Sequence, residues 1–125
     1  MNSSDAGLGV FVVEDEALVA LNLEDMLEEL GCRVAASAMR VEQALELIDA
    51  GMAPDVAILD VNLAGRPVYP VATRLAAAGV PIIFATGYGR GGLPDEWRDS
   101  PVLQKPYTLE QVSQCLSHVV PGRRG

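Results

Sequence analysis

Short apolar runs and longer amphipathic segments alternate along the chain. Runs of four to six residues such as Val10-Phe11-Val12-Val13 are each followed by a segment whose apolar residues recur at helical spacing. The short runs are typical of strands covered on both faces, and the longer segments of helices that bury one face. The alternation predicts an α/β domain built from five strand–helix units around a parallel sheet. The expected strands lie at about 10–13, 32–36, 56–59, 80–85 and 102–103.

Helix stop and start signals bound the amphipathic segments. The expected helices run from about Glu16 to Leu30, from about Val41 until Gly51, from about Pro67 until Gly79, and from about Leu109 to Val119. Thr108 and Gln111 have the spacing of a capping box that opens the last helix. Glycines crowd the segment where a fourth helix is expected, and only 94–98 is weakly helical in pattern.

Right-handed crossovers predict a doubly wound five-stranded sheet of order 2-1-3-4-5, the flavodoxin-like arrangement. In that order the first and third strands are neighbours that diverge at the switch point, where open α/β sheets bind ligands. Asp15 and Asp60 are expected to face each other there, since each follows one of these strands. Thr86 and Lys105 follow the fourth and fifth strands. Two acids, a hydroxyl and an ammonium at one edge are the outline of a phosphoryl-transfer site.

The acids at this edge call for a counter-charge. Glu14, Asp15 and Asp60 in one pocket repel one another, and Mg²⁺ prefers such oxygen ligands. Taken alone, the acidic run at Glu14 is better explained by a helix N-terminus, and an aspartate after a strand, such as Asp60, often only starts a turn. The combination with Lys105 and Thr86 favours a phosphoryl-transfer site. A carboxylate can attack phosphorus while a metal, a lysine and a hydroxyl hold the phosphoryl oxygens.

Composition narrows the class of protein. The 125 residues fit one domain, and the net charge of −8, with a single lysine, disfavours nucleic-acid binding. No apolar run reaches the roughly 20 residues that span a bilayer, and the first residues lack the pattern of a signal peptide. A cytoplasmic protein without membrane or nucleic-acid partners is expected.

With these residues the chain resembles, over nearly its whole length, the receiver domain of two-component response regulators. The resemblance implies that Asp60 accepts phosphate from a histidine kinase, and that Glu14, Asp15, Asp60 and the carbonyl of Asn62 bind Mg²⁺. It also implies that Thr86 and Lys105 contact the phosphoryl group, and that the peptide bond before Pro106 is cis.

Two positions depart from the usual pattern of that family, and a third departs from the pattern of a variant subfamily. Glu14 stands where aspartate is commoner, and Val102 stands where most receivers have an aromatic residue that swings inward with the threonine. The stretch Phe84-Ala85-Thr86-Gly87-Tyr88 resembles a variant subfamily that also lacks this aromatic residue, although Ile82 replaces its first phenylalanine. Tyr88 and the glycines through Gly92 are therefore a candidate switch; a flexible loop with Tyr88 as packing is the alternative.

The resemblance implies a stand-alone signalling module, with a core at about 8–120 and no output domain, that phosphorylates and dephosphorylates itself. Its expected partners are a histidine kinase and, through relay or output, a histidine phosphotransfer protein or another protein target; a phosphate sink is a further role. Two alternatives remain open: a haloacid-dehalogenase-type phosphatase, which needs a second acid where Asn62 stands, and a non-phosphorylated pseudo-receiver. A nucleotide or flavin module is disfavoured, because no glycine-rich phosphate loop follows the first strand.

Overall fold

The structure, a computed structural model, describes residues 7–88 and 92–120. In chain order its elements are β1 (Gly9–Val13), α1 (Ala17–Glu29), β2 (Arg33–Ala38), α2 (Val41–Asp49), β3 (Val56–Asp60), β4 (Asn62–Leu63), β5 (Arg66–Pro67), α3 (Tyr69–Ala77), β6 (Ile82–Thr86), β7 (Val102–Gln104) and α4 (Leu109–Val119). A 3-10 turn at Asp95–Trp97 lies between β6 and β7.

Five of the strands form one parallel sheet in the order β2-β1-β3-β6-β7. Numbered as the main strands alone, this is the predicted order 2-1-3-4-5, and the predicted fold class is confirmed. Val12 lies opposite Ile58 in the sheet, and Ile58 lies opposite Ile83, so the central strands are in register. The short strands β4 and β5 pair with each other as a separate antiparallel hairpin, which the apolar pattern did not predict.

Both faces of the sheet are covered, as the unbroken apolar strands predicted. Alternate residues of β1 enter different cores: Val10 and Val12 pack on one side, and Phe11 and Val13 on the other. The first core is covered by α1 and α4 through Leu23, Leu27, Val112 and Leu116. The second core is covered by α2, α3 and the segment around Trp97. The strand ends are thus held between two helical layers.

The helix boundaries follow local chemistry. The capping box is present: Thr108 Oγ1 accepts the Gln111 N–H at 3.1 Å, and Gln111 Oε1 accepts the Thr108 N–H at 2.8 Å. Helix α3 begins at Tyr69 rather than near Pro67, because Pro67 is paired in the hairpin; Pro70 lies in its first turn.

The fourth strand–helix unit has a 3-10 turn where a helix was expected. Trp97 of that turn packs edge-on against Phe84, with ring centroids 5.4 Å apart. Part of the proposed glycine-rich switch, residues 89–91, lies outside the described residues. Within residues 7–88 and 92–120, every helix is too short or too polar to cross a bilayer.

Candidate functional site

The polar residues singled out in the sequence meet at one edge of the sheet. Glu14 and Asp15 directly follow β1, Asp60 ends β3, Thr86 ends β6, and Lys105 follows β7. Because these strands are parallel, their carboxyl ends lie together at the switch point between β1 and β3. The structure therefore brings all five side chains to the same part of the molecule.

Three carboxylates form the centre of this cluster. One oxygen each from Glu14, Asp15 and Asp60 lies within 4.8 Å of the others. Asp60 is only 7% exposed, and Glu14 is also buried, whereas Asp15 is half-buried. Burial, followed by the charge of Glu14, raises the pKa of Asp60 to about 7, although the Lys105 charge opposes the shift. The metal-free cluster therefore holds a proton on Asp60 far more readily than an exposed aspartate does.

Lys105 is shared between two of the carboxylates. Its Nζ lies 2.9 Å from Glu14 Oε1 and 3.3 Å from Asp60 Oδ2. Burial alone would lower the pKa of Lys105, but its hydrogen bond to Glu14 and the nearby Asp60 charge outweigh burial and raise it. The peptide bond between Lys105 and Pro106 is cis, and the Lys105 N–H donates to the Thr86 carbonyl at 2.9 Å. The ammonium is thus held charged beside Asp60.

Glu14 is engaged through both of its oxygens. While Oε1 accepts from Lys105, Oε2 accepts the Glu16 N–H at 3.0 Å. Glutamate is one methylene longer than the commoner aspartate, and here its side chain reaches Lys105, which follows β7. In this arrangement Glu14 serves as the partner of the lysine as much as a member of the acidic cluster.

The hydroxyl of Thr86 is tied to the segment that follows β6. Thr86 is buried, and its Oγ1 accepts the Tyr88 N–H at 3.1 Å. The Tyr88 side chain itself is 88% exposed. A movement of the Thr86 hydroxyl would therefore displace the backbone of Tyr88 first. The exposed ring that would move with it belongs to Tyr88.

The β4–β5 hairpin forms the wall of the site beyond Asp60. Asn62 lies opposite Pro67, next to the hydrogen bond from the Val68 N–H to the Val61 carbonyl at 3.0 Å. That is a non-hydrogen-bonded position of an antiparallel pair, so the Asn62 carbonyl points away from β5. Its own N–H donates to Asp60 Oδ1 at 3.4 Å. The carbonyl is available to a ligand bound at the cluster.

The hairpin also makes a contact that sequence reasoning missed. The Ala64 N–H donates to Asp15 Oδ2 at 2.9 Å, and the Gly65 N–H donates to Asn62 Oδ1 at 2.9 Å. The sequence signal for the turn was Gly65, but nothing in the pattern indicated that the turn would reach back to Asp15.

These groups fit a hard divalent cation. Carboxylate oxygens and main-chain carbonyls are ligands that Mg²⁺ accepts, and such a cation would offset the burial and the Glu14 charge that together raise the pKa of Asp60. The residues that would hold it are Asp15, Asp60 and Asn62, with Glu14 nearby. When bound, the cation would supply positive charge to neutralise phosphoryl oxygens next to Asp60.

The fold and the site together define a doubly wound α/β domain with an acidic pocket, a lysine and a hydroxyl at its switch point. Comparison with known proteins identifies the family. Residues 10–115 match the response regulator receiver domain, and the chain belongs to that family. This agrees with the resemblance drawn from the motifs.

Individual relatives support this assignment but differ in length. The solution structure of SdrG from Sphingomonas melonis Fr1 is 40% identical, with a TM-score of 0.81 over 96% of this chain and 99% of that one. The transcriptional regulatory protein PdtaR of Mycobacterium tuberculosis is 30% identical over 89% of this chain and 56% of its own length. The phyllosphere-induced regulator PhyR of Methylorubrum extorquens is 29% identical over 94% of this chain and 45% of its own length. The chain thus spans about half the length of these two curated relatives.

Proposed function

We propose that this receiver domain accepts a phosphoryl group on Asp60 from a histidine kinase. One observation carries the proposal: the buried Asp60 carboxylate lies 3.3 Å from the Lys105 ammonium and within 4.8 Å of two further carboxylates. The Asp60 carboxylate can therefore act as the nucleophile. A cation for the phosphoryl oxygens and further metal ligands lie beside it. The family assignment supports the reaction class, and this geometry supports the residue roles.

In the proposed reaction, an Asp60 oxygen attacks the phosphorus of a phosphohistidine. The new O–P bond forms as the N–P bond breaks, and the electron pair of that bond returns to the ring; with a proton on its other nitrogen, the imidazole leaves as a neutral group. Lys105 holds one phosphoryl oxygen through its ammonium, and the Thr86 hydroxyl donates to another. Hydrolysis later replaces the Asp60 oxygen by water, which releases inorganic phosphate and restores the carboxylate.

The surface beside the acceptor suits a protein donor. Leu18, on the first turn of α1, is 80% exposed, and Leu21 one turn further is also exposed. A groove of about 360 Å³, lined on the same helix by Val19, Asn22 and Met26, runs between α1 and the segment Lys105-Pro106-Tyr107. An apolar patch next to a charged acceptor favours docking of a folded partner that carries the phosphohistidine. We infer that the kinase, or a histidine phosphotransfer protein, binds here.

The proposed switch uses Thr86 and Tyr88, in line with the resemblance to the Phe-Ala-Thr-Gly-Tyr variant. Val102 is partly buried and lies opposite Phe84 in the sheet, so an inward-swinging aromatic ring is not available at that position. Thr86 can instead transmit the change directly, because its hydroxyl already accepts the Tyr88 N–H. Amide NMR with and without beryllofluoride should show shifts across residues 86–98; unchanged signals there would refute the switch.

Labelling with acetyl phosphate tests the proposal. The protein should gain one phosphoryl group in a Mg²⁺-dependent manner, and Asp60→Asn should gain none, as measured by intact mass. Phosphotransfer profiling against purified histidine kinases, with Asp60→Ala as control, then identifies the donor. Multiple-turnover hydrolysis of small phosphomonoesters would instead favour a phosphatase, and absence of any labelling would favour a pseudo-receiver.

A further inference from the structure

The β4–β5 hairpin contacts the acidic cluster through the backbone of its turn. The Ala64 N–H donates to Asp15 Oδ2 at 2.9 Å, which joins residues from two separate loops at the switch point. Asp15 has two carboxylate oxygens, and this bond uses one of them. The Ala64 bond leaves the other oxygen, Oδ1, on the side chain as a possible metal ligand.

The turn that presents this N–H has an unusual backbone. Ala64 has φ +52° and Gly65 has φ +89°, so both central residues of the two-residue turn lie in the left-handed region. Such turns favour Asn or Gly at the first position, and an L-alanine there is disfavoured. A Cβ added at Gly65 would meet nothing within 4 Å, so glycine is required there by conformation and not by space.

The hairpin is anchored independently of Asp15. Leu63 is 2% exposed and packs in the core beneath α2 and α3. Arg66 forms an ion pair with Glu42 on α2, and the Val68 N–H closes the base of the hairpin on the Val61 carbonyl at 3.0 Å. The Ala64 amide is therefore placed by the protein scaffold, and Asp15 meets a donor that is already in position.

We propose that Ala64 is a positioning residue for the magnesium site: its backbone N–H orients the Asp15 carboxylate so that the second oxygen faces the bound ion. The inference rests on the proposed function, because it assumes that Asp15 binds Mg²⁺. It assigns the hairpin a role beyond presenting the Asn62 carbonyl. Outer hydrogen bonds of this kind fix the orientation of metal ligands and typically change affinity by about tenfold or more when removed.

The test removes the N–H alone. Replacing Ala64 by lactic acid, through semisynthesis, keeps the methyl side chain and turns the amide into an ester without a donor. Titration calorimetry should show Mg²⁺ binding about tenfold weaker than in the wild type, the low end of the range because this bond is exposed to water. Ala64→Gly retains the N–H and should bind within about twofold of the wild type.

The outcomes separate this inference from the function on which it rests. If the wild type binds Mg²⁺, Asp15→Ala does not, and the ester binds as tightly as the wild type, the role of Ala64 is refuted while the metal site stands. If Ala64→Gly loses as much affinity as the ester, turn conformation and not the N–H is responsible, which also refutes it. A wild type that binds no Mg²⁺ overturns both proposals.

A measurement on the unmodified protein covers the case in which the ester does not fold. The Ala64 amide resonance should shift during a Mg²⁺ titration with the same midpoint as the calorimetric dissociation constant. In Asp15→Ala that resonance should move upfield without metal and stop responding to Mg²⁺. An Ala64 resonance that ignores Mg²⁺ in the wild type would refute the coupling.

Discussion

Asp60→Asn should stabilise the metal-free protein at pH 8. The Asp60 carboxyl is buried beside Glu14, and its pKa is raised from 3.8 to about 7. Asparagine has nearly the same shape and carries no charge, so the variant removes the repulsion with Glu14 and leaves the Lys105–Glu14 ion pair in place. The ionised Asp60 carboxylate is therefore expected to destabilise the fold that contains it.

The magnitude follows from the two pKa values. A shift of about three units corresponds to about 4 kcal/mol of differential stability between the protonated and ionised forms. The folded pKa lies above the unfolded one, so the stabilising contribution of the proton is complete below about pH 4 and is lost as pH rises to about 7. Of this, about 2.5 kcal/mol should be lost between pH 5 and pH 8, because an unfolded aspartate is already mostly ionised at pH 5.

Urea denaturation in EDTA at pH 5 and pH 8, followed by circular dichroism, measures this loss. The free energy of unfolding of the wild type should fall by about 2.5 kcal/mol more than that of Asp60→Asn over this range. Asp99→Asn, at an exposed carboxylate of the segment before β7, is the matched control and should follow the wild type. If Asp60→Asn shows the same pH dependence as the wild type, or is less stable at pH 8, the electrostatic account of the site is wrong.

Four further results are expected. Mg²⁺ at a hundred times its dissociation constant should raise the free energy of unfolding at pH 8 by about 2.7 kcal/mol, and an equal rise in Asp15→Ala would contradict the assigned site. Lys105→Met should slow labelling by acetyl phosphate about a hundredfold, because a charged donor to the phosphoryl oxygens is lost; an unchanged rate would refute that role. Leu18→Ser should weaken phosphotransfer from the cognate kinase roughly fivefold while labelling by acetyl phosphate stays the same; equal losses in both would remove the docking role. Thr108→Ala should lower stability by about 1 kcal/mol through loss of the helix cap, with Glu110→Ala as a control on the same turn.

The sheet could be predicted because its signals are local. Each buried strand is an unbroken apolar run, and the polar residue at its end is adjacent in sequence, so strand order alone brings Asp15 and Asp60 together. The rule that crossovers are right-handed then leaves few topologies. The spacing of apolar residues was thus sufficient to predict the fold. The polar residues at the strand ends were sufficient to predict which side chains meet in the acidic cluster.

The hairpin could not be predicted for the opposite reason. Its strands have two residues each, which is too short for periodicity, and an alanine at positive φ contradicts local preference. It exists because Leu63 is buried and Arg66 pairs with Glu42, which are tertiary contacts. The late start of α3 has the same origin, since Pro67 is held in the hairpin and not in the helix.

The packing of β6 offers a route for the signal that does not need an aromatic residue at Val102. Thr86 and Phe84 are two residues apart on one strand, so they lie on the same face of the sheet, and Phe84 contacts both Tyr69 and Trp97 edge-on. A displacement of Thr86 toward Asp60 would therefore disturb this aromatic row as well as the Tyr88 backbone. The 3-10 turn that carries Trp97 stands where a longer helix was expected, and it has fewer hydrogen bonds of its own to resist such a shift. We expect the phosphorylation signal to leave the site along this face, through Phe84 and Trp97, rather than through the position that Val102 occupies.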